Sequence, residues 1–176
     1  MKFGKLNFSD VSNHFDLVAE SVERSVKKNN LKDVLVAEID PDLADTAAFC
    51  ARYGVAQKDG ANCVIVKAIR GERTWFAAVL VDGDSRADIN GVVRKHLDAR
   101  KISFAPMDEA VELTGMEFGG ITPIGLPNDW SILVDEAVAK LPHAIIGSGV
   151  RKSKLLVSGE LLTSLPNATV LDLVKK

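Results

Sequence analysis

At 176 residues, with 47% hydrophobic and 26% charged residues, the chain can bury a real core and has the make-up of a soluble globular protein of one domain. A formal net charge of −2 excludes a globally basic nucleic-acid binder, so any RNA contact must be a local patch, and DNA is not an expected partner. The two cysteines, Cys50 and Cys63, lack metal-ligand spacing, and no apolar run reaches membrane-spanning length. A disulfide scaffold, a zinc site and a membrane protein are excluded as readings, and an N-terminus without an apolar signal core reads as cytoplasmic.

In chain order, Ser9 or Asp10 is positioned to cap a first helix reaching about Lys28, because Val11, Phe15, Val18, Val22 and Val26 recur at helical spacing. Val34 to Ile39 reads as a strand broken by Asp40-Pro41. Asp45 or Thr46 starts a helix through Tyr53, with Gly54 as its stop. Cys63 to Ile69 and Thr74 to Val81 are apolar and β-branched, and Arg70-Gly71-Glu72-Arg73 between them reads as a hairpin turn. Ser85 with Asp88 has the form of a capping box opening a helix to about Leu97. A strand at Ile102 to Ala105 and a helix from Pro106 to Leu113, ended by Gly115, follow. Then come strands at Ile132 to Val134, His143 to Ile146 and Leu155 to Val157, with a short helix after Asp135. Ser158 caps a last helix, and Ala168 to Val174 closes the chain as a strand. Strands and short helices alternate beside hairpins, so the expected fold class is α/β (α+β), a mixed sheet with surrounding helices.

The stretch from Thr114 to Pro127 stands apart. It holds four glycines and two prolines in fourteen residues, yet it carries Phe118, Ile121, Ile124 and Leu126 rather than polar linker residues. Such a loop is expected to tuck against a core, either as a buried crossover or as a rigid wall offering bare backbone N–H groups to a ligand. His14, His96 and His143 are scattered without metal spacing, and no GxSxG nucleophile elbow exists. Lys67 interrupts the apolar run Cys63-Val64-Ile65-Val66. It either faces water or stands at a cleft rim, suited to a phosphate or carboxylate. Arg151, Lys152 and Lys154 form a basic cluster, a solvated hairpin or a phosphate patch. Asp135 ends a strand where capping and chemistry fit equally.

Thr114-Gly115 followed by Gly119-Gly120-Ile121-Thr122-Pro123-Ile124-Gly125-Leu126 resembles the signature of the YbaK/prolyl-tRNA synthetase-associated domain family, whose GxxxP loop is matched by Gly119 and Pro123. Thr46-Ala47-Ala48 to Tyr53-Gly54-Val55, Ser103-Phe104-Ala105, Ile132-Leu133-Val134-Asp135 and Ile146-Gly147-Ser148-Gly149 with Arg151 resemble further parts of it. The resemblance covers about residues 34–165 as a deacylase core, with about residues 1–30 as an N-terminal helical extension of a single domain. The family's functional lysine sits on a strand. Counting from Ala61-Asn62 without a gap puts Val66 at that position, so Lys67 fills it only through a bulge or a one-residue shift.

The resemblance implies an aminoacyl-tRNA deacylase. Such an enzyme hydrolyses the ester between a wrong, small amino acid and the terminal adenosine of a tRNA such as tRNA-Pro, without metal or organic cofactor. Aminoacyl-tRNA is the implied partner and a tRNA synthetase a further one. Lys67 and Gly119 are then the catalytic candidates. Gly120, Ile121, Thr122, Pro123, Asp135, Ser148 and Gly149 line the substrate site, and Arg151 and Lys152 contact tRNA. The alternatives are a non-catalytic tRNA- or protein-binding module of the same fold, and a hydrolase of other small esters.

Overall fold

The computed structural model describes residues 1–175. The chain opens with β1 (Lys2–Phe3), β2 (Leu6–Asn7) and β3 (Ser9–Asp10). Two 3-10 turns, α1 (Glu20–Lys28), β4 (Leu35–Glu38) and α2 (Thr46–Tyr53) follow. A long hairpin of β5 (Ala61–Arg70) and β6 (Arg73–Asp82) leads through α3 (Arg94–His96) to β7 (Lys101–Phe104) and α4 (Met107–Thr114). The rest is β8 (Ser131–Asp135), α5 (Glu136–Ala139), β9 (Ala144–Gly147), β10 (Ser153–Val157), α6 (Gly159–Ser164) and β11 (Ala168–Leu171).

Two sheets carry the fold. The larger runs β11-β8-β6-β5-β7 and is mixed, since β8 pairs in parallel with β6 and β11 while the other neighbours are antiparallel. The smaller, β3-β4-β10-β9, is antiparallel throughout. They meet where Gly60 bridges Ile145. Strand alternation sorts β5 and β6 into two faces. Ile65, Ala78 and Leu80 join Val22, Val134, Ile146 and Leu155 in the core between the sheets. Val66, Ala77 and Val79 pack with Val93, Leu133 and Leu173 on the other side. A third cluster sets Phe49 and Cys50 of α2 on Ala37, Ile145 and Leu156 of the smaller sheet.

Local punctuation works as the sequence predicts. Gly54 and Gly115 end α2 and α4 in left-handed conformation, at φ 67° and 69°. The Leu161 N–H donates to Ser158 Oγ at 3.0 Å, capping α6. Two expectations need correction. The first helix begins only at Glu20. Ser9 and Asp10 instead pair with Val36 and Leu35, Asp10 caps a 3-10 turn through the Ser12 N–H, and the Ala19 N–H donates to Ser148 O at 3.1 Å. Val11, Val18, Val22 and Val26 nevertheless share one buried cluster. The Ser85 capping box does not form either. Ser85 Oγ donates to Asp82, while Asp88 itself accepts from the Gly91 and Val92 N–H groups and opens a π-type turn at Ile89–Val93.

Candidate active site

The segment after α4 forms no regular element and is held by close backbone approach. A Cβ on Gly120 would stand 2.7 to 2.9 Å from the Val150 backbone, and one on Gly147 would stand 2.5 and 2.7 Å from the Gly120 and Ile121 carbonyls. Only glycine lets these two loops touch. Hydrogen bonds complete the seam. Glu117 N–H donates to Gly149 O at 2.8 Å, and Gly149 N–H to Gly120 O at 2.7 Å. Arg151 ties in a third loop. Its backbone N–H donates to Glu117 Oε1, its Nη1 to Phe118 O at 3.1 Å and its Nε to Pro41 O at 3.2 Å, with Asp45 Oδ1 3.8 Å away.

This seam roofs a cavity of about 220 Å³ at the junction of the two sheets. Asp45, Thr46, Phe49 and Cys50 come from the start of α2, Asn62 and Cys63 from β5, and Gly147 from β9. Phe118, Gly119 and Ile121 come from the loop, and Lys154 from β10. The floor is polar. Thr46 Oγ1 donates to Asn62 Oδ1 at 2.8 Å, and Lys154 Nζ lies 5.4 Å from the centre of the Phe49 ring. Burial pushes the Lys154 ammonium down to about 8; Arg151 acts in the same direction, while Asp45 and Cys50 oppose it. Burial pushes the Cys63 thiol up to about 12 and raises that of Cys50, so neither is an activated nucleophile.

Of the residues picked out from sequence, Gly119 and Ile121 line this cavity. Gly120 lies behind it against Val150, with Thr122 and Pro123 buried beneath. Ser148 is fully buried. Its Oγ sits 3.1 Å from the Val150 and Ser153 carbonyls, and Ser153 Oγ reaches Leu17 O at 2.6 Å, so Ser148 and Gly149 brace the seam from behind. Asp135 is elsewhere: its carboxylate accepts from the Ala137 and Leu173 N–H groups and fixes the β8–α5 corner. Arg151 spends its guanidinium on the three loops, and Lys152 is exposed.

Lys67 also lies outside the cavity. β5 pairs with β6 in unbroken register from Ala61↔Asp82 to Arg70↔Arg73, so no bulge or shift re-aims it. It shares a face with Cys63 but lies about 13 Å further along the strand, at 3.3 Å per residue. There Nζ donates to both Glu109 oxygens, at 2.9 and 3.0 Å, and Lys67 lines a separate basic cleft with Arg94, Arg100 and Lys101. The cation that lines the cavity is Lys154, part of the basic cluster noted in the sequence. Its signal was position within a strand. Lys154 shares the face of buried Leu156, whereas Arg151 and Lys152 belong to the preceding turn.

Residues 40–165 match the family described as aminoacyl-tRNA editing domain. Among curated relatives, the chain is 44% identical over 73 residues to the proline–tRNA ligase of Lactobacillus gasseri, covering 40% of this chain and 12% of the ligase. It is 34% identical over 107 residues to that of Bacillus licheniformis, covering 60% and 17%. The chain thus spans less than a fifth of either ligase. Among solved structures, a proposed trans-editing enzyme for prolyl-tRNA synthetase superposes with a TM-score of 0.76 at 20% identity, covering 90% of this chain and 99% of that one, a likeness of fold. The hypothetical protein APE2540 superposes with a TM-score of 0.76 at 27% identity, covering 89% and 100%. With the matched segment spanning the α2 start, the hairpin, the glycine seam and β10, the chain belongs to the aminoacyl-tRNA editing domain family.

Proposed function

We propose that the chain hydrolyses the ester joining a wrongly attached small amino acid to the terminal adenosine of a tRNA, with tRNA-Pro as the first candidate. The observation that carries this reading is the cavity under the Gly119–Ile121 seam, inside the family-matched segment. Its volume of about 220 Å³ lies below the roughly 300–1,000 Å³ of drug-sized ligand sites, which favours a small side chain. Size selection has physical value here, because excluding one methylene contributes only about 1–3 kcal/mol and synthetases need separate editing for small residues.

An aminoacyl ester is already activated, so a positioned water suffices as nucleophile. The Gly119 and Ile121 N–H groups donate to no protein acceptor among the described residues and are the candidates to receive the developing oxyanion. One such donor is typically worth roughly 100- to 1000-fold in rate. In this reading Arg94, Arg100 and Lys101, beside the Lys67–Glu109 pair, offer phosphates of the tRNA stem a local basic cleft in a net acidic protein. A synthetase is the natural source of the substrate.

The test is deacylation of a panel of mischarged tRNAs, prolyl-tRNA species first. Hydrolysis confined to small amino acids is the expected result. No turnover across the panel by folded protein, with tRNA affinity retained, would overturn the reading in favour of the non-catalytic binding module.

A further inference from the structure

Lys154 is a cation lining a cleft in which, among the described residues, no carboxylate stands at ion-pair distance from it. Gly147 stands directly opposite it in the β9–β10 register, and the Gly120 and Ile121 carbonyls close over that glycine, so the lysine side chain shares its face with the seam and with the Phe49 ring. The groups facing it are Arg151 from the preceding turn, Asp45 and Cys50 from the α2 side, and Cys63 from β5. Both thiols are neutral. Both nearby carboxylates lie on Arg151 instead, Asp45 at 3.8 Å from its guanidinium and Glu117 accepting its backbone N–H at 2.8 Å, so neither is given to Lys154.

We propose that Lys154 is the anion-binding residue of this cleft, holding the phosphodiester that links the terminal adenosine of the substrate to the nucleotide before it, the part expected of Lys67. This rests on the editing reading for the identity of the substrate, but the anion site stands on its own geometry. A phosphodiester carries a single negative charge and supplies the anionic partner that neither Asp45 nor Glu117 gives Lys154. The ammonium lies over the Phe49 ring, 5.4 Å from its centre, a contact that favours one position for it. Lys67 is unsuited to the role, being engaged by Glu109 in a different cleft. Burial pushes the Lys154 ammonium down, and an anion beside it acts in the opposite direction.

The experiment titrates wild type, Lys154→Met, Lys154→Gln and Lys154→Arg with the dinucleotide cytidylyl-(3′→5′)-adenosine, and with free adenosine as the probe lacking phosphate. Urea unfolding verifies that each variant is folded. Lys154→Met and Lys154→Gln are expected to weaken dinucleotide binding about 10- to 100-fold, the range of one charge-assisted hydrogen bond, leaving adenosine unchanged. Lys154→Arg is expected to retain most of it. Wild-type affinity should fall between about pH 7 and pH 9.5 as the lysine loses its proton. A Lys154 acting as a general base gives the opposite profile in deacylation, rising through that range. Equal dinucleotide affinity in wild type and Lys154→Met, no wild-type binding, or a flat pH profile would overturn the proposal. Dinucleotide binding that depends on Lys154, without hydrolysis of any charged tRNA, would sink the editing reading and leave the anion site standing.

Discussion

Gly119→Ala tests the seam directly. Gly119 sits at φ 86°, in the region that L-residues avoid, and an added Cβ would run into the Arg151 guanidinium. The left-handed conformation alone costs about 1–2 kcal/mol. Moving Arg151 aside also breaks its bond to Phe118 O, worth about 0.5–1.5 kcal/mol, so the variant should lose about 1.5–3.5 kcal/mol in all. Gly71 supplies the control. It has φ 60° in the β5–β6 turn, but a Cβ there meets nothing within 4 Å, so Gly71→Ala should show the conformational cost alone, about 1–2 kcal/mol. Urea midpoints of both variants separate the two contributions. Since a domain commonly has about 5–15 kcal/mol of stability, Gly119→Ala should remain folded while its deacylation collapses. If Gly119→Ala destabilises no more than Gly71→Ala, Arg151 does not pin the roof. If it deacylates at the wild-type rate, the seam does not line the reacting group.

Lys67→Ala should leave deacylation of a pre-bound minimal substrate unchanged and cost less than about 1 kcal/mol, because its pair with Glu109 is partly exposed; a collapse in single-turnover rate would return Lys67 to the site. Asp135→Ala strands the buried Leu173 N–H and removes the cap of α5 at the Ala137 N–H, and should cost about 2–4 kcal/mol by urea unfolding while activity per folded molecule holds; lost activity at intact stability would contradict its placement. Lys154 has a folded value near 8 against its ordinary 10.5, so between these the unfolded chain holds a proton that the folded one has released, and stability should rise with pH from about 8 to 10.5. Lys154→Met should flatten that rise and raise stability at pH 7 by about 1–3 kcal/mol; a variant less stable than wild type at pH 7 would refute the burial cost.

What was legible in the sequence is what local chemistry decides. Gly54, Gly71, Gly115 and Ser158 mark their elements because each acts within a turn of its own position. The mass of glycine and proline between Thr114 and Pro127 announced a rigid, inward-facing loop for the same reason. What failed depends on distant partners. Ser9 and Asp10 look like caps until Val36 and Leu35 claim them as an edge strand, and the helix start at Glu20 follows from a bond between Ala19 and Ser148. Lys67 looks like a stranded cation until Glu109, on another element, closes on it. Lys154 looks like one of three surface charges until the β9–β10 register turns it inward.

The placement of the two arginine-lysine neighbours explains how one turn serves both architecture and chemistry. Arg151 has a planar fork that reaches the Pro41 and Phe118 carbonyls at once, a task for which several fixed donors are needed and a single ammonium is unsuited. Lys154 is a compact point charge on a flexible stem and tolerates partial neutralisation, which a guanidinium does not. Exchanging the two would leave the roof unpinned and bury a permanent charge. The cavity floor is strand backbone from both sheets and cannot shift without disturbing two cores, whereas the roof is a loop held by a few backbone hydrogen bonds to Gly149 and by the Arg151 guanidinium at Phe118. We infer from these contacts that Arg151 acts as a positioning residue. Its removal should loosen the Gly119 roof, raising KM and lowering kcat together, whereas removal of Lys154 should act chiefly on binding. A matching loss of dinucleotide affinity in Arg151→Ala and Lys154→Met, with the roof intact by amide hydrogen exchange at Gly119 and Gly120, would show that both cations hold the phosphate and that this division of labour is wrong.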